Sequence, residues 1–309
     1  MSTKENKWTR RHFLKATGTA GLGALMAPVN GMATAAETPT KVPTRPFGRT
    51  GVNVSILSLG GMFNIKSNQM LMKQAMRWGV TYWDTADCYQ SGSEKGIGKY
   101  FKKYPRDRQK VFLVSKSDAR SPDGMTDLLD RSLKRMNTDY IDLYFVHGIY
   151  SIDELDDRTR AWAEQARAAG KIRFFGFSTH SNMEECLLEA AKLGWIDGIM
   201  MTYNYRLMHT RKMKQAVAAC VNAGIGLTAM KTQGGGPVST DTDTEMEMAG
   251  RFMEKGFTDA QATLMAVWQN PDIASICSQM PKMSILMSNI AAAVNKTELS
   301  TRDTGLLQR

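Results

Sequence analysis

The amino-acid sequence predicts an α/β fold, a (β/α)8 TIM barrel with an N-terminal β-hairpin, from three observations. Eight short apolar runs alternate with stretches of helical pattern from Ile56 onward. The alternating part spans roughly 240 residues, close to the typical length of such a barrel. The first run ends in Leu59-Gly60-Gly61-Met62, whereas the competing doubly wound sheet usually has a Gly-x-Gly-x-x-Gly turn there.

The predicted strands are short and rich in apolar, β-branched and aromatic residues, as strands buried on both faces require. They are Ile56–Gly60, Thr81–Trp83, Val111–Ser115, Ile141–Val146, Ile172–Phe177, Gly198–Met201, Gly226–Ala229 and Ile273–Cys277. Before them, Arg45–Ser55 contains the turn residues Arg49-Thr50-Gly51 and predicts a hairpin that closes the bottom of the barrel.

Start and stop signals indicate the helices between the strands. Ser151, Ser181 and Thr258 each stand three positions before Glu or Gln, the pattern of a capping box. Pro122 follows Ser121, and the first helical position accepts proline. Four glycines follow helical stretches, where a left-handed C-cap favours this residue: Gly79, Gly170, Gly194 and Gly224.

Composition excludes several classes of protein. Of the 309 residues, 42% are hydrophobic and 23% charged, which is typical of a globular chain and not of a disordered or fibrous one. The formal net charge of +10 raises the possibility of a polyanionic partner. Five basic residues against Glu5 alone lie within the first 35 positions, and the rest of the charge is spread along the chain. Because no basic stripe with interleaved aromatic residues occurs, no nucleic-acid partner is expected.

The N-terminus has the layout of an export signal. The basic block Thr9–Lys15 precedes the uncharged, Ala- and Gly-rich stretch Ala16–Ala36, and Ala33-Thr34-Ala35 has the small-x-small pattern of a cleavage site. The stretch is too weakly apolar to span a membrane, so no stable membrane insertion is expected. The block resembles the twin-arginine export motif. The resemblance implies a signal peptide at 1–36, a barrel domain at 37–309, passage through the twin-arginine machinery and a periplasmic location.

Four side chains of complementary acid–base character follow three consecutive predicted strands. Asp84, Lys116 and His147 each come directly after a strand, and Tyr89 stands five positions beyond Asp84. Catalytic groups of a TIM barrel sit at the carboxyl ends of its strands. A phenol with a pKa near 10, tuned by an ammonium that a carboxylate holds, can protonate a carbonyl oxygen. The set therefore predicts carbonyl chemistry, with a nicotinamide cofactor as the source of hydride.

The motifs around these residues resemble those of the aldo-keto reductases. They are Gly79–Tyr89 with Ser93–Gly98, Phe112–Lys116 and Tyr140–His147. The resemblance covers about residues 45–294 and implies a barrel enzyme that reduces an aldehyde or ketone to an alcohol, or runs in reverse, with a small-molecule substrate. It implies that Tyr89 is the general acid, that Lys116 and Asp84 tune it, and that His147 positions the substrate.

The same resemblance implies a set of cofactor-binding residues: Ser178, Thr179, Thr202, Met230, Lys231, Lys282 and Asn289. Thr179 stands where the family has Asn, Thr202 where it has Gln, and Met230 where many members stack an aromatic ring on the nicotinamide. Lys231 either meets the pyrophosphate or forms an ion pair at the rim. NADP(H) is favoured over NAD(H) by the family, with Lys282 the nearest candidate for reading the extra phosphate.

Two alternatives remain open at this stage. The substitutions at Thr179, Thr202 and Met230 are compatible with a non-catalytic or weakly catalytic cofactor-binding barrel, and the polar segment Gly234–Glu247 is either a plain surface loop or a mobile loop over the cofactor. The four cysteines are far apart in sequence and form no Cys-x-x-Cys pair, so no metal site is predicted. A monomer is expected, as is common in the family.

Overall fold

Eight parallel strands close into a barrel in the computed structural model, which describes residues 41–233 and 256–294. In barrel order they are β10 (Ile273–Gln279), β3 (Leu57–Gly60), β4 (Tyr82–Asp84), β5 (Phe112–Ser117), β6 (Ile141–Val146), β7 (Ile172–Thr179), β8 (Gly198–Thr202) and β9 (Gly226–Met230). All eight predicted strands are present, and the predicted fold class is confirmed. The predicted signal peptide at 1–36 and the segment Gly234–Glu247 lie outside the described residues.

An antiparallel hairpin seals the bottom of the barrel. Its strands, β1 (Thr44–Pro46) and β2 (Asn53–Ser55), precede β3. Phe47, at the end of the first strand, is fully buried. A Cβ atom added at Gly226 would lie 2.5 Å from the Phe47 ring, and one at Gly198 would lie 2.8 Å from it. The strands β8 and β9 therefore begin with glycine because the plug occupies the space of a side chain.

Eight helices of the described part pack around the barrel: α1 (Gln69–Arg77), α2 (Ser93–Lys103), α3 (Pro122–Met136), α4 (Asp157–Ala168), α5 (Met183–Leu193), α6 (Arg211–Asn222), α7 (Asp259–Trp268) and α8 (Met283–Val294). The four predicted glycine caps have φ between 70° and 83°, which confirms the left-handed conformation. None of the helices in residues 41–233 and 256–294 has both the length and the apolar character that crossing a membrane requires.

The capping signals were only partly correct. The Thr258 capping box is present, and Pro122 is the first residue of α3 as predicted, with Ser121 as its N-cap. The Ser151 box is also present, but it caps the short 3-10 turn Ile152–Glu154 rather than α4. The Ser181 prediction is wrong, because α5 follows Asn182, whose φ of 49° is left-handed and whose side chain makes no capping hydrogen bond.

The barrel interior changes character from bottom to top. An apolar cluster fills the lower half, with Phe47, Tyr82, Phe112 and Leu143 among its members. The upper half buries polar and charged side chains, among them Asp84, Lys116 and Ser178. Because buried charge is costly unless it is paired, this upper end is where a functional site is expected.

Candidate active site

The structure brings the four predicted acid–base side chains together at the carboxyl ends of neighbouring strands. Asp84 is the last residue of β4, and Tyr89 lies in the loop between β4 and α2. Lys116 is inside β5, one residue before its end, and His147 directly follows β6. The predicted end of β4 was therefore one residue too early, since Asp84 belongs to the strand. The predicted end of β5 was two residues too early, because β5 continues to pair with β6 as far as Ser117.

The Lys116 ammonium is the centre of the site. Nζ donates to Asp84 Oδ1 at 2.6 Å, to the carbonyl oxygen of Thr85 at 2.8 Å and to Tyr89 Oη at 3.3 Å. Burial alone would lower the pKa of Lys116, but the Asp84 carboxylate and the Tyr89 phenol outweigh it and raise that pKa. Burial raises the pKa of Asp84 and Lys116 opposes this effect. The raised pKa of Lys116 keeps its ammonium charged at neutral pH, and this charge favours the ionised form of the Asp84 carboxyl.

The Tyr89 phenol is set up to donate its hydrogen. An ammonium has donors and no acceptor, so the phenol oxygen accepts from Lys116 and its own hydrogen stays available. Burial has the largest effect on the pKa of Tyr89 and raises it. The Lys116 charge lowers this pKa and the Asp84 carboxylate raises it, and the net result is a pKa of about 12. The phenol therefore carries its proton throughout the neutral range.

The His147 imidazole is oriented by a residue that the sequence analysis did not select. Nδ1 lies 2.7 Å from Asp118 Oδ1 and 3.5 Å from Cys88 Sγ, and its ring meets the Tyr89 ring edge-on with centroids 6.1 Å apart. Burial and the Lys116 charge lower the pKa of His147, so the neutral imidazole dominates at pH 7. The Asp118 contact then places the hydrogen on Nδ1 and leaves Nε2 as an acceptor.

An ion-pair network anchors the loop that carries Tyr89. Asp87 Oδ1 accepts from Arg131 at 2.7 Å and from Arg135 at 2.8 Å. Arg135 also donates to Glu94 at 3.2 Å, and Glu94 in turn accepts from the Ser115 hydroxyl of β5 at 2.8 Å. The loop is thereby tied both to α3 and to the strand that carries the ammonium.

Sequence reasoning missed three further side chains around the site. Asp118 directly follows β5, so its place at the carboxyl end of a strand could have marked it as a site residue. Cys277 in β10 lies close enough for the Asp84 and Lys116 charges to act on its thiol, yet it is 193 positions from Asp84 in the chain. His180 follows β7; partial burial and the Lys231 ammonium lower its pKa to about 4.

The predicted cofactor residues lie along the rim formed by β7 to β10 and α8. Thr202 ends β8, with Oγ1 3.5 Å from His180 Nδ1, and Met230 ends β9, partly exposed. Two of the predicted residues, Thr179 and Asn289, use their polar side-chain atoms in hydrogen bonds within the protein. The Thr179 hydroxyl contacts the carbonyl oxygens of Ile149 and Ser181 at 2.9 and 2.7 Å.

Asn289 is the second predicted residue whose side chain is hydrogen-bonded within the protein. Its side chain is 1% exposed. Nδ2 donates to Ser278 Oγ at 3.0 Å, and Oδ1 accepts from Gln233 Nε2 at 3.2 Å. Both polar atoms therefore have protein partners, so a contact from Asn289 to adenine requires this network to rearrange.

The donors of this rim fit a ligand that carries phosphates and an amide. Ser178 is fully buried and its Oγ accepts from Gly148 N–H at 3.0 Å, so its hydroxyl hydrogen becomes available to a ligand only when the side chain is uncovered. Within the same residues, no carboxylate pairs with the ammonium of Lys231 or of Lys282. Lys231 also holds φ at 56°, a left-handed conformation that costs a residue with a side chain about 1–3 kcal/mol and is common at functional sites. A nicotinamide dinucleotide has the charge and the amide that these groups can bind.

Comparison with known proteins is consistent with this geometry. The model of the aldo/keto reductase family matches residues 57–299. The uncharacterized oxidoreductase YrpG of Bacillus subtilis is 30% identical over 216 residues, which make up 62% of this chain and 66% of that protein. The aldo-keto reductase yakc [NADP(+)] of Schizosaccharomyces pombe is 33% identical over 156 residues, 44% of this chain and 45% of the relative. The matched part thus spans less than two thirds of the length of these curated relatives.

A solved structure supports the same architecture. The holo form of the aldo-keto reductase AKR11C1 from Bacillus halodurans superimposes with a TM-score of 0.72 and covers 86% of this chain and 95% of its own. The two chains are 22% identical. At that identity the likeness shows a shared fold, and the chemistry has to be argued from the side chains.

Proposed function

The chain belongs to the aldo/keto reductase family, and on that premise we propose that it is an NAD(P)H-dependent oxidoreductase that reduces an aldehyde or ketone to an alcohol or catalyses the reverse reaction. One observation carries the proposal. The Lys116 ammonium is shared between the Asp84 carboxylate and the Tyr89 phenol at the open end of the barrel. A barrel without turnover is disfavoured, because this arrangement buries a charge pair beside a proton donor, and the matched relatives are named as oxidoreductases and reductases.

Tyr89 is assigned as the general acid from the direction of its hydrogen bonds. Its oxygen accepts from Lys116, so the phenolic hydrogen is free to move to the oxygen of a carbonyl in the mouth. The negative charge that remains on the phenol oxygen then faces the Lys116 ammonium. Asp84 keeps that ammonium charged and in position during the transfer.

His147 is assigned as a positioning group and not as the proton donor. With the hydrogen of the neutral imidazole on Nδ1 and directed at Asp118, Nε2 accepts a hydrogen bond and has no proton to give. Nε2 can therefore accept a hydrogen bond from the hydroxyl of an alcohol or from a second hydroxyl of the substrate. Asp118 acts through His147 by holding this tautomer.

A bound nicotinamide cofactor would supply the hydride. We assign Ser178 and Thr202 to its carboxamide end, Met230 to the face of its ring, and Lys231 to its pyrophosphate. Lys282, which directly precedes α8, is assigned to the adenosine end, and Asn289 contacts it there once its hydrogen bonds to Ser278 and Gln233 rearrange. The preference for NADP(H) rests on the S. pombe relative, whose name includes NADP(+). Thr179 is reassigned to bracing the β7 loop, because its hydroxyl is occupied by two backbone carbonyls.

Cofactor binding by the purified protein tests the proposal. Titration with NADPH and with NADH is expected to quench protein fluorescence, with a lower dissociation constant for NADPH. In the presence of members of a panel of aldehydes and ketones, the protein is expected to oxidise the bound cofactor. A matched Lys282→Ala variant is expected to weaken NADPH binding more than NADH binding. Absence of quenching by either cofactor, together with no nicotinamide absorbance in the purified protein, would refute the assignment.

We also propose that residues 1–36 direct the folded protein to the periplasm through the twin-arginine machinery, leaving the barrel domain 37–309, which works as a monomer on a small-molecule substrate. The arginine pair Arg10-Arg11 and the cleavage pattern at Ala33–Ala35 support export. Substitution of both arginines by lysine is expected to keep the protein in the cytoplasmic fraction and unprocessed. Unchanged processing in that variant would contradict this route.

A further inference from the structure

Three side chains at the mouth of the barrel offer sulfur, nitrogen and oxygen ligands around one point. Cys88 Sγ, His147 Nδ1 and a carboxylate oxygen of Asp118 all lie within 4.8 Å of one another. The Sγ–Nδ1 distance is 3.5 Å. A tetrahedral zinc ion with Zn–S near 2.3 Å and Zn–N near 2.0 Å separates its sulfur and nitrogen ligands by about 3.5 Å. We propose that these residues form a site for Zn²⁺ that reversibly inhibits the enzyme.

The site is open to ions from solvent. Cys88 is exposed, and the side chains of Asp118 and His147 are 54% and 18% exposed. The three residues come from the loops that follow β4, β5 and β6, so the barrel itself holds them together. With three protein ligands, a fourth position is left for water, which is the ligand count of zinc sites that are not purely structural.

The surrounding charge allows a divalent cation. A Cys88 thiolate and the Asp118 carboxylate together balance a charge of +2. The nearest cations already have partners: Lys116 is paired with Asp84, and Arg120 donates to Glu154 at 2.7 Å. Zinc fits better than magnesium or calcium because thiolate and imidazole ligands favour borderline metals over hard ones.

Binding requires balanced changes in the three ligands. Burial and the Asp118 carboxylate raise the pKa of the Cys88 thiol to about 12, so the thiol releases its proton to solvent only as the metal binds its sulfur. His147 moves its hydrogen from Nδ1 to Nε2 so that Nδ1 can coordinate. Asp118, now 2.7 Å from Nδ1, has to move back by roughly half an ångström to share a metal with it. In this state Nε2 carries the hydrogen and no longer accepts a hydrogen bond, and the imidazole that meets the Tyr89 ring edge-on is held by the metal. Inhibition by zinc therefore follows, and this consequence rests on the proposed function.

Titration with Co²⁺ and Zn²⁺ tests the site without any need for activity. One Co²⁺ per chain is expected to give the sulfur-to-cobalt charge-transfer absorption of a thiolate site, and zinc is expected to displace it. The variants Cys88→Ala and Asp118→Ala are expected to weaken zinc binding by about 100-fold or more. Cys220→Ala removes a buried thiol of α6 and serves as the matched control that keeps the signal.

A cobalt spectrum without a sulfur band, or one that Cys88→Ala leaves unchanged, would overturn the site. Inhibition is measured separately, as the ratio of rates with and without zinc for each protein. Wild type is expected to lose most of its rate at zinc concentrations that saturate the site, and Cys88→Ala to lose little of its own metal-free rate. Metal binding that leaves the wild-type rate unchanged would overturn the inhibitory role, while a protein with no reductase activity would fail the proposed function and still report on the metal.

Discussion

Two buried ion pairs of the described barrel wall differ in what surrounds them. Arg108–Asp142 lies near the amino-terminal ends of β5 and β6, with a separation of 2.9 Å. Lys116–Asp84 lies at the carboxyl ends of β4 and β5, with a separation of 2.6 Å. Both pairs bury two charges, yet only the second is proposed to take part in chemistry.

The first pair is saturated by the protein. Arg108 donates to the Thr138 hydroxyl at 2.7 Å and to the carbonyl oxygen of Val111 at 3.0 Å, and its guanidinium stacks 3.9 Å above the Tyr140 ring. The Asp142 carboxylate also accepts from Leu113 N–H at 2.9 Å and from the half-exposed Arg173 at 2.7 Å. Every partner is a fixed part of the fold, as expected of an ion pair with a structural role. The Lys116 ammonium, in contrast, donates one of its hydrogen bonds to a titratable phenol, that of Tyr89.

The largest predicted effect is on that phenol. Tyr89→Phe removes the proton donor and keeps the ring, so we expect kcat to fall by about 10²–10⁴-fold while cofactor affinity and thermal stability stay close to wild type. Steady-state kinetics with fluorescence titration of the cofactor measures both quantities. Wild-type rates on every active substrate would show that another group donates the proton.

A smaller effect is expected at the closed end of the barrel. Gly226→Ala places a methyl group where the Phe47 ring lies and is expected to destabilise the fold by about 1–3 kcal/mol. Denaturant unfolding measures this change. Because the plug is at the opposite end from Tyr89, kcat of the folded variant should be unchanged, and a kcat that falls with stability would mean that the two ends are not independent.

The sequence predicted the elements better than the contacts between them. Eight strands could be predicted because runs such as Ile141–Val146 are dominated by apolar and aromatic residues, and the residues at their ends marked the acid–base set. Cys277 was missed because barrel closure, and not a local pattern, brings it close to Lys116, whereas Asp118 directly follows β5 and could have been selected by its position. The Ser181 cap failed because Thr179 and the left-handed Asn182 set the start of α5.

The smallest predicted effect concerns pH. Tyr89 is active in reduction as the protonated phenol, so activity is present below its pKa and is lost as the pH rises through it. Because burial raises this pKa to about 12, kcat/KM for reduction should change less than about twofold between roughly pH 7 and roughly pH 10, the ordinary pKa of tyrosine. A decline centred near pH 10 would indicate an exposed phenol.

The most direct test of the account compares Lys116→Met with Arg108→Met. Lys116→Met leaves the buried Asp84 carboxylate without its cation and is expected to lose about 3–5 kcal/mol of stability. Arg108→Met leaves Asp142 still paired with Arg173 at 2.7 Å and is expected to lose less. Measured on the folded fraction at the same temperature, Lys116→Met should lose about 100-fold or more in kcat, while Arg108→Met should keep the wild-type value. Equal kcat values in the two variants would contradict the claim that the Lys116 charge serves the Tyr89 phenol.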